Sequence, residues 1–524
     1  MTANSFSIET SLAEVETVYN AGRGCLAYVR RIDDVETPIS AFAKLGANRF
    51  GASLFESVEG GETRGRYSIV ATYPDLIFEV TEAGARRANI ADDGKIGAYV
   101  AIEGNPLDAL RAIIRESTLD FPAFLPPPLA GLYGYMAYEM VGFFEKLPRA
   151  KMRDPIRAPL AVFTRPKLVI VFDGVKQELL LATPIRPQPS ISANDAYEQA
   201  ISRLKNASEV LDKPSEMKAP TQNQISATRP NFTANHTPEQ YMRSVEIAKN
   251  YIRAGDIYQV VPSQRFTIEF EKSPMSLYRA LRRTNPSPFL FLLQMDGFSI
   301  IGSSPEILVR LRDGIVTVRP IAGTKPRGAT PSADRAFEEE LLADPKERAE
   351  HLMLLDLGRN DVGRVSRSVR QGNQAGNQDG NKIGGIRVTS SFVVERYSHV
   401  MHIVSNVEGS LKPELDALDA LLAGFPAGTV SGAPKIRAME IIAELEPHDR
   451  GIYAGGVGYF SANGDMDMDM CIALRTGVLK DKKLHVQAGA GVVLDSVPLS
   501  EHQECENKAM ALIMAAKDAQ RYED

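Results

Sequence analysis

The chain has 524 residues, 60 Lys and Arg against 66 Asp and Glu for a formal net charge of −6, and 44% hydrophobic residues. At roughly 150 residues per domain, that length suits two or three domains around a large core. With 24% charged residues and 40 Gly and 32 Pro spread along the chain, a disordered, collagen-like or fibrous protein is excluded, and no Lys/Arg block offers nucleic acid a footprint.

From the N-terminus, MTANSFSIETSLAEVETVY places three glutamates before the first basic residue, Arg23. No apolar run approaches the ~18 residues of a spanning helix, so a soluble cytoplasmic protein without membrane contact is expected. Cys25, Cys471 and Cys505 are too few and too far apart for a disulfide framework or a CxxC site. Gly51–Ser57, Arg66–Ala71, Leu168–Phe172 and Leu179–Ala182 read as strands. Asn105–Ser117 reads as a helix with Leu107, Leu110, Ile113 and Ile114 on one side. The polar, proline-bearing stretch at 208–237 predicts a linker between an N-terminal domain (1–207) and a second domain (238–524). A second breaker, QGNQAGNQDGNKIGG at Gln371–Gly385, predicts a surface loop.

The densest signals lie in the second half. Asp344, Pro345 and Glu347 predict a helix start with a full capping box, and Glu347 and Glu350 then share one face. Ser500 and Gln503 predict a similar start for the C-terminal helix, with Glu501 and Glu504 again three apart. If the two helices faced each other, four carboxylates would suit a hard divalent cation such as Mg²⁺. Helix-dipole complementation and a Glu504–Lys508 surface pair explain the same spacing, so both readings stay open.

Two small-residue segments offer backbone N–H groups to an anion. In AGAGVV (Ala488–Val493), Gly489, Ala490 and Gly491 could cradle a carboxylate or form a tight hairpin. GTVSGAPK (Gly428–Lys435) precedes a helix at Ile436–Glu444. Alternation in HVMHIVSNV sets Val400, His402 and Val404 opposite His399, Met401 and Ile403, and His402 suits either a core position or a general acid–base role. No GxSxG elbow or Walker loop is present.

Ordered motifs across about 270 residues carry a resemblance. They include GDIYQVVPSQRF, NPSPFLF, GSSPE, RPIAGTKPRG, AEHLMLLDLGRNDVGRV, VMHIVSNVEG, GTVSGAPKIRAME, YAGGVGYF, CIALRT and VQAGAGVVLDSVPLSEHQECENKA, with SLFES (Ser53–Ser57) in the first half. Together they make the chain similar to the anthranilate synthase component I family of chorismate-utilising enzymes. The resemblance implies an α+β fold, a two-domain chorismate-binding architecture of mainly antiparallel sheets flanked by helices.

The family likeness further implies conversion of chorismate and ammonia to anthranilate and pyruvate in L-tryptophan biosynthesis. By matching motif positions, Glu350 and Glu504 would ligate Mg²⁺ with Glu347 and Glu501 as near partners. Glu306 would protonate the leaving hydroxyl, and His402 would serve the elimination of pyruvate from an aminodeoxyisochorismate intermediate. Thr429, Gly323, Thr324, Tyr453, Arg475, Gly489, Ala490 and Gly491 match the remaining substrate positions, with Arg475 clamping the enolpyruvyl carboxylate. Ser57, Asn285, Pro286, Pro288, Phe289 and Leu290 match a site for tryptophan as feedback inhibitor. Related members often carry Tyr where Phe289 stands.

No segment resembles a glutaminase. A separate glutamine amidotransferase subunit (anthranilate synthase component II) would therefore supply ammonia, in a heterotetramer. Ala322 replaces the nucleophilic lysine of aminodeoxychorismate synthases, and Gln259 replaces the water-activating lysine of isochorismate and salicylate synthases. Those activities, and a catalytically silent tryptophan-sensing relative, are the alternatives.

Overall fold

The computed structural model describes residues 7–57, 66–120, 122–222, 229–367, 382–383, 385–397, 400–464 and 467–523. Of the loop expected at Gln371–Gly385, all but 382–383 and 385 lie outside them, as does His399.

The architecture is a large antiparallel sheet flanked by helices, the α+β class expected from the sequence. Its ladders join distant parts of the chain. Ser53–Glu56 pairs on one side with Tyr67–Thr81 and on the other with Phe289–Gln294, and Gly131–Met136 pairs with Gly456–Ser461. Strands from before and after the expected linker therefore share ladders, and the cores follow them. One apolar cluster joins Leu181 and Leu204 to Leu281 and Leu512, while another joins Leu110 and Phe163 to Val362 and Ile472.

Of the strands expected in the first half, Gly51–Ser57 shortens to Ser53–Glu56 and Leu179–Ala182 lengthens to Glu178–Ile185. Arg66–Ala71 starts one residue later and runs on as Tyr67–Thr81, and Leu168–Phe172 lies within Ala161–Asp173. Both are buried along much of their length on both faces, which erases the polar–apolar alternation that marks a strand's extent. The helix Pro106–Glu116 forms where expected, with the Asn105 side chain accepting from the Leu107 N–H and Leu107, Leu110, Ile113 and Ile114 buried.

Helix Ala193–Leu211 continues four residues into the stretch expected to be linker, because its buried stripe of Leu204, Ala207 and Leu211 carries on past 207. The next helix, Pro238–Ala254, begins at Thr237 with a complete capping box to Gln240 and ends on Gly255 at φ 83°. No helix among the described residues is long and apolar enough to cross a membrane.

Candidate functional site

His402 sits on the strand Val400–Ser410, flanked by Ile321–Pro326 on one side and Ile386–Arg396 on the other. The register of the first pairing slips between Ala322 and Thr324, and Gly323 occupies the slip at φ 70°, a bulge that suits glycine. A Cβ there would meet Glu347 Oε2 at 3.1 Å, so the bulge also lets the strand approach the glutamate helix. His402 Nδ1 lies 3.1 Å from the Gly323 carbonyl oxygen and 2.9 Å from Thr324 Oγ1. A carbonyl can only accept, so the proton belongs on Nδ1 and the lone pair on Nε2, which is buried without a partner. Burial, reinforced by the Arg475 charge, lowers the imidazole to about 4, so it stays neutral at physiological pH.

Glu306 follows the strand Phe298–Ser304 and is 6% exposed. Burial pushes its carboxyl up to about 8, against the opposing pull of the Thr429 hydroxyl, the Ile321 N–H and the Arg319 charge. Thr429 Oγ1 stands 3.1 Å from each carboxyl oxygen, on the short turn Gly428–Val430 that opens GTVSGAPK. The helix after that loop runs Lys435–Leu445, close to the expected bounds, and Lys435 Nζ holds Asp361 at 2.9 and 3.0 Å.

Arg475 is half-buried, acts electrostatically on His402, and adopts φ 47°, a left-handed conformation that costs a non-glycine residue about 1–3 kcal/mol. Its carbonyl accepts from the Ser303 N–H at 3.2 Å, fixing the strained residue to the strand that leads to Glu306.

The AGAGVV segment corrects two expectations. Neither Gly489 nor Gly491 has a positive φ, so there is no tight hairpin; the strand Lys483–Gly489 simply runs on along Ser263–Glu269. The three N–H groups are also not all bare, because Ala490 donates to the Pro262 carbonyl at 3.3 Å. Glycine is needed for closeness instead. A Cβ on Gly489 would meet the Pro262 oxygen at 2.8 Å and Tyr453 Oη at 2.9 Å, and one on Gly491 would meet Gln259 Nε2 at 2.6 Å.

The two carboxylate pairs differ from their predicted starts. Asp344 caps the helix Pro345–Val365 by accepting from Lys346 and Glu347 N–H, but the reciprocal half of the capping box is missing. The preceding helix ends on the same residue, and the Asp344 N–H is already spent on the Glu340 carbonyl at 3.0 Å. Glu347 is thereby left free of capping. The C-terminal helix starts earlier than expected, Pro498–Asp518 with Val497 at the cap position, because Pro498 is preorganised for the first turn; Ser500 and Glu501 thus lie inside the helix.

The two helices do not pack side by side: the first lies against the His402 strand, the last against Pro238–Ala254 and Pro274–Thr284. Their first turns are in electrostatic reach, since Lys346 acts on Glu501. Burial and the neighbouring Glu350 raise Glu347, and burial and Glu504 raise Glu501. Glu350 Oε1 accepts from Gln259 Nε2 at 2.8 Å, while Glu504 pairs with Lys508 at 2.7 Å. Among the described residues, no three His, Cys, Asp or Glu side chains already converge on a metal position. The donor set is nonetheless all hard oxygen, and the half-buried Glu347 and the buried Glu501, each held close to another glutamate at a cost in ionisation, suit a cation that retains waters.

The tryptophan-motif segments meet away from this cluster. SLFES and NPSPFLF are neighbours in the sheet, with Leu290 opposite Glu56 and Phe291 opposite Phe55. Asn285 ends the helix Pro274–Thr284, and its Nδ2 is buried without a partner. Ser57 and Phe289 are half-buried, and Leu290 is fully buried in the core between Ser303 and Glu56 of the neighbouring strands. Glu56 is buried too, held by Tyr278 Oη at 2.6 Å and Arg282 Nε at 2.9 Å.

Sequence reasoning passed over one network behind the site. Arg450, 2% exposed, grips Glu446 at 2.7 Å and donates to the Val430 carbonyl at 2.7 Å and the Val261 carbonyl at 2.6 Å. In sequence the pair is an ordinary i,i+4 charge couple, indistinguishable from a surface pair. All three cysteines are buried free thiols.

The family profile described as chorismate binding enzyme matches residues 75–514. Anthranilate synthase component 1 of Cereibacter sphaeroides is 52% identical over 512 residues, covering 97% of this chain and 98% of its own, and that of Aquifex aeolicus is 41% identical over 521 residues, covering 99% and 100%. Among solved structures, anthranilate synthase component I from Streptococcus pneumoniae superposes with a TM-score of 0.69 at 36% identity over 92% of this chain and 98% of that one. The menaquinone-specific isochorismate synthase of Escherichia coli, 20% identical with a TM-score of 0.65 over 94% and 95%, shares the fold.

Proposed function

The chain belongs to the chorismate binding enzyme family, as an anthranilate synthase, and from that premise we propose how its residues divide the reaction. Chorismate and ammonia give anthranilate, pyruvate and water. Ammonia adds to the ring carbon beside the carboxylate-bearing carbon as the ring C–O bond breaks, and Glu306 gives its proton to the departing hydroxyl. The observation that carries this reading is the Glu306 carboxyl, buried and held protonated to about 8, because hydroxide is a poor leaving group and an acid is what it requires.

The second step removes a ring proton and expels pyruvate. His402, neutral and with Nε2 bare, is the base that fits it. Arg475 clamps the enolpyruvyl carboxylate, and Gly323, Thr324, Thr429, Tyr453 and the Gly489–Gly491 backbone shape the remaining contacts. Glu350 and Glu504 would hold Mg²⁺, with Glu347 and Glu501 beside them; the ion, when bound, neutralises the ring carboxylate. Ala322 and Gln259 disfavour a covalent amine route and water addition.

Ammonia comes from a separate glutamine amidotransferase subunit in a cytoplasmic heterotetramer, and L-tryptophan inhibits through the junction of SLFES and NPSPFLF. The pairing of those segments and the unpartnered Asn285 amide support an inhibitor site there. The test is direct: the purified chain should make anthranilate from chorismate, Mg²⁺ and ammonium at alkaline pH and none from glutamine. Glutamine-dependent product from the chain alone would overturn the two-subunit reading.

A further inference from the structure

Glu306 and Thr429 line a cleft together with Pro320, Leu354, Gly358, Asp361 and Gly428. Of the other residues assigned to the reaction, none of His402, Thr324, Arg475, Tyr453 and Gln259 lines this cleft. It reaches outward past Val318, Leu357 and Ala427, all half-exposed, and its inner wall carries Asp361, buried at 4% and ion-paired with Lys435.

Chemistry gives such a space a task. Each turnover moves the Glu306 proton to the ring hydroxyl oxygen, which takes the electron pair of the breaking C–O bond and leaves as water. Glu306 is then a buried carboxylate, and the ammonium formed by the incoming nucleophile gives its extra proton to solvent water. The acid must regain a proton from solvent before the next turnover, and one water must leave. We propose that the cleft Glu306 lines is the path for both: water leaves through it and protons return to Glu306 along the water it admits. This rests on the assignment of Glu306 as the acid.

Gly358 supports a cleft kept open. It lies inside the helix Pro345–Val365, where glycine costs about 1 kcal/mol relative to alanine. Its φ is ordinary, and the nearest atoms an added Cβ would meet are Val318 Cγ1 at 3.6 Å, Pro320 Cδ at 3.7 Å and Pro320 Cγ at 3.8 Å, all ordinary contacts, so packing does not demand glycine. What a larger side chain would remove is the open space.

The experiment compares the first turnover with the steady state by rapid quench at pH 7, using chorismate, Mg²⁺ and ammonium, in the wild type, Gly358→Ala, Gly358→Leu and the half-exposed rim variant Ala427→Leu. The resting acid is already protonated at that pH, so the first turnover should proceed near the wild-type rate. The leucine variants should then slow at least tenfold in the steady state, with the deficit shrinking as pH falls. Ala427→Leu tests the same cleft should Gly358→Leu fail to fold. Equal loss in both phases, no loss at all, or a raised KM for ammonium with a slowed first turnover would each overturn the proposal. The acid assignment fails separately, if Glu306→Gln retains its first turnover.

Discussion

Thr429 Oγ1 stands 3.1 Å from each oxygen of the Glu306 carboxyl, so a single hydroxyl touches both oxygens of this buried acid. That contact favours the charged form and pulls against burial. At constant free ammonia, activity should therefore fall as pH rises through about 8, when the acid loses its proton. Thr429→Val should move this alkaline limb to higher pH while lowering the rate; a limb that stays or moves down would break the link between the two residues.

The same burial affects stability with a definite sign. A carboxyl raised from 4.5 to about 8 on folding contributes nothing adverse below pH 4.5 and costs ~1.4 kcal/mol for each pH unit above it up to about 8. Glu306→Gln should be inactive yet melt higher than wild type at pH 9, with the difference vanishing near pH 4. Equal melting curves at both pH values would show that the acid is relieved by some other group.

Glu350 and Glu504 present a different balance. Gln259 holds the first and Lys508 the second, so neither carboxylate is left bare without a cation. Glu350→Gln and Glu504→Gln should each lower turnover by ~100-fold or more, about 3 kcal/mol of barrier, and weaken Mg²⁺ binding measured by calorimetry, with the fold intact. Near-normal turnover at limiting Mg²⁺ in either variant would return that glutamate to a helix-dipole or surface-pair role.

Because SLFES pairs directly with NPSPFLF, a ligand seated there touches strand Ser53–Glu56 and the end of the helix Pro274–Thr284 together. Ser57→Ala and Asn285→Ala should raise the tryptophan concentration for half-inhibition by ~10-fold or more, with the uninhibited rate nearly unchanged, as differential binding to two states requires. Unaltered inhibition in both variants would place the inhibitor elsewhere.

What the sequence made legible follows from where its signals are local. The helix Pro106–Glu116 carried its own cap and stripe, and the paired glutamates carried their spacing. The Ser500 start misled because Ser-x-x-Gln and Pro-first signals overlapped, and the proline governed. The role of Gly323 was invisible, since a bulge exists only relative to the partner strand. Likewise, Gly489 and Gly491 looked like turn residues because sequence cannot show that Pro262, Tyr453 and Gln259 crowd against them. The burial of Glu306 required its helix, sheet and loop neighbours to be assembled first.

His402 is where packing and chemistry make opposite predictions. It is 6% exposed, and its strand is flanked on both sides, which is what a core histidine would show. Its Nδ1 is fixed by Gly323 and Thr324 while Nε2 has no partner and keeps a lone pair for chemistry; the fully buried His351 likewise bonds through one nitrogen only, so a bare nitrogen fits both roles and the variant decides between them. Replacing it with Met keeps volume and removes the lone pair. If Nε2 takes the proton in the elimination, His402→Met should keep the amination step, accumulate aminodeoxyisochorismate by chromatography, and melt within about 2 °C of wild type. Loss of both half-reactions with a drop in melting temperature of ~5 °C or more, and no intermediate, would assign His402 to the core.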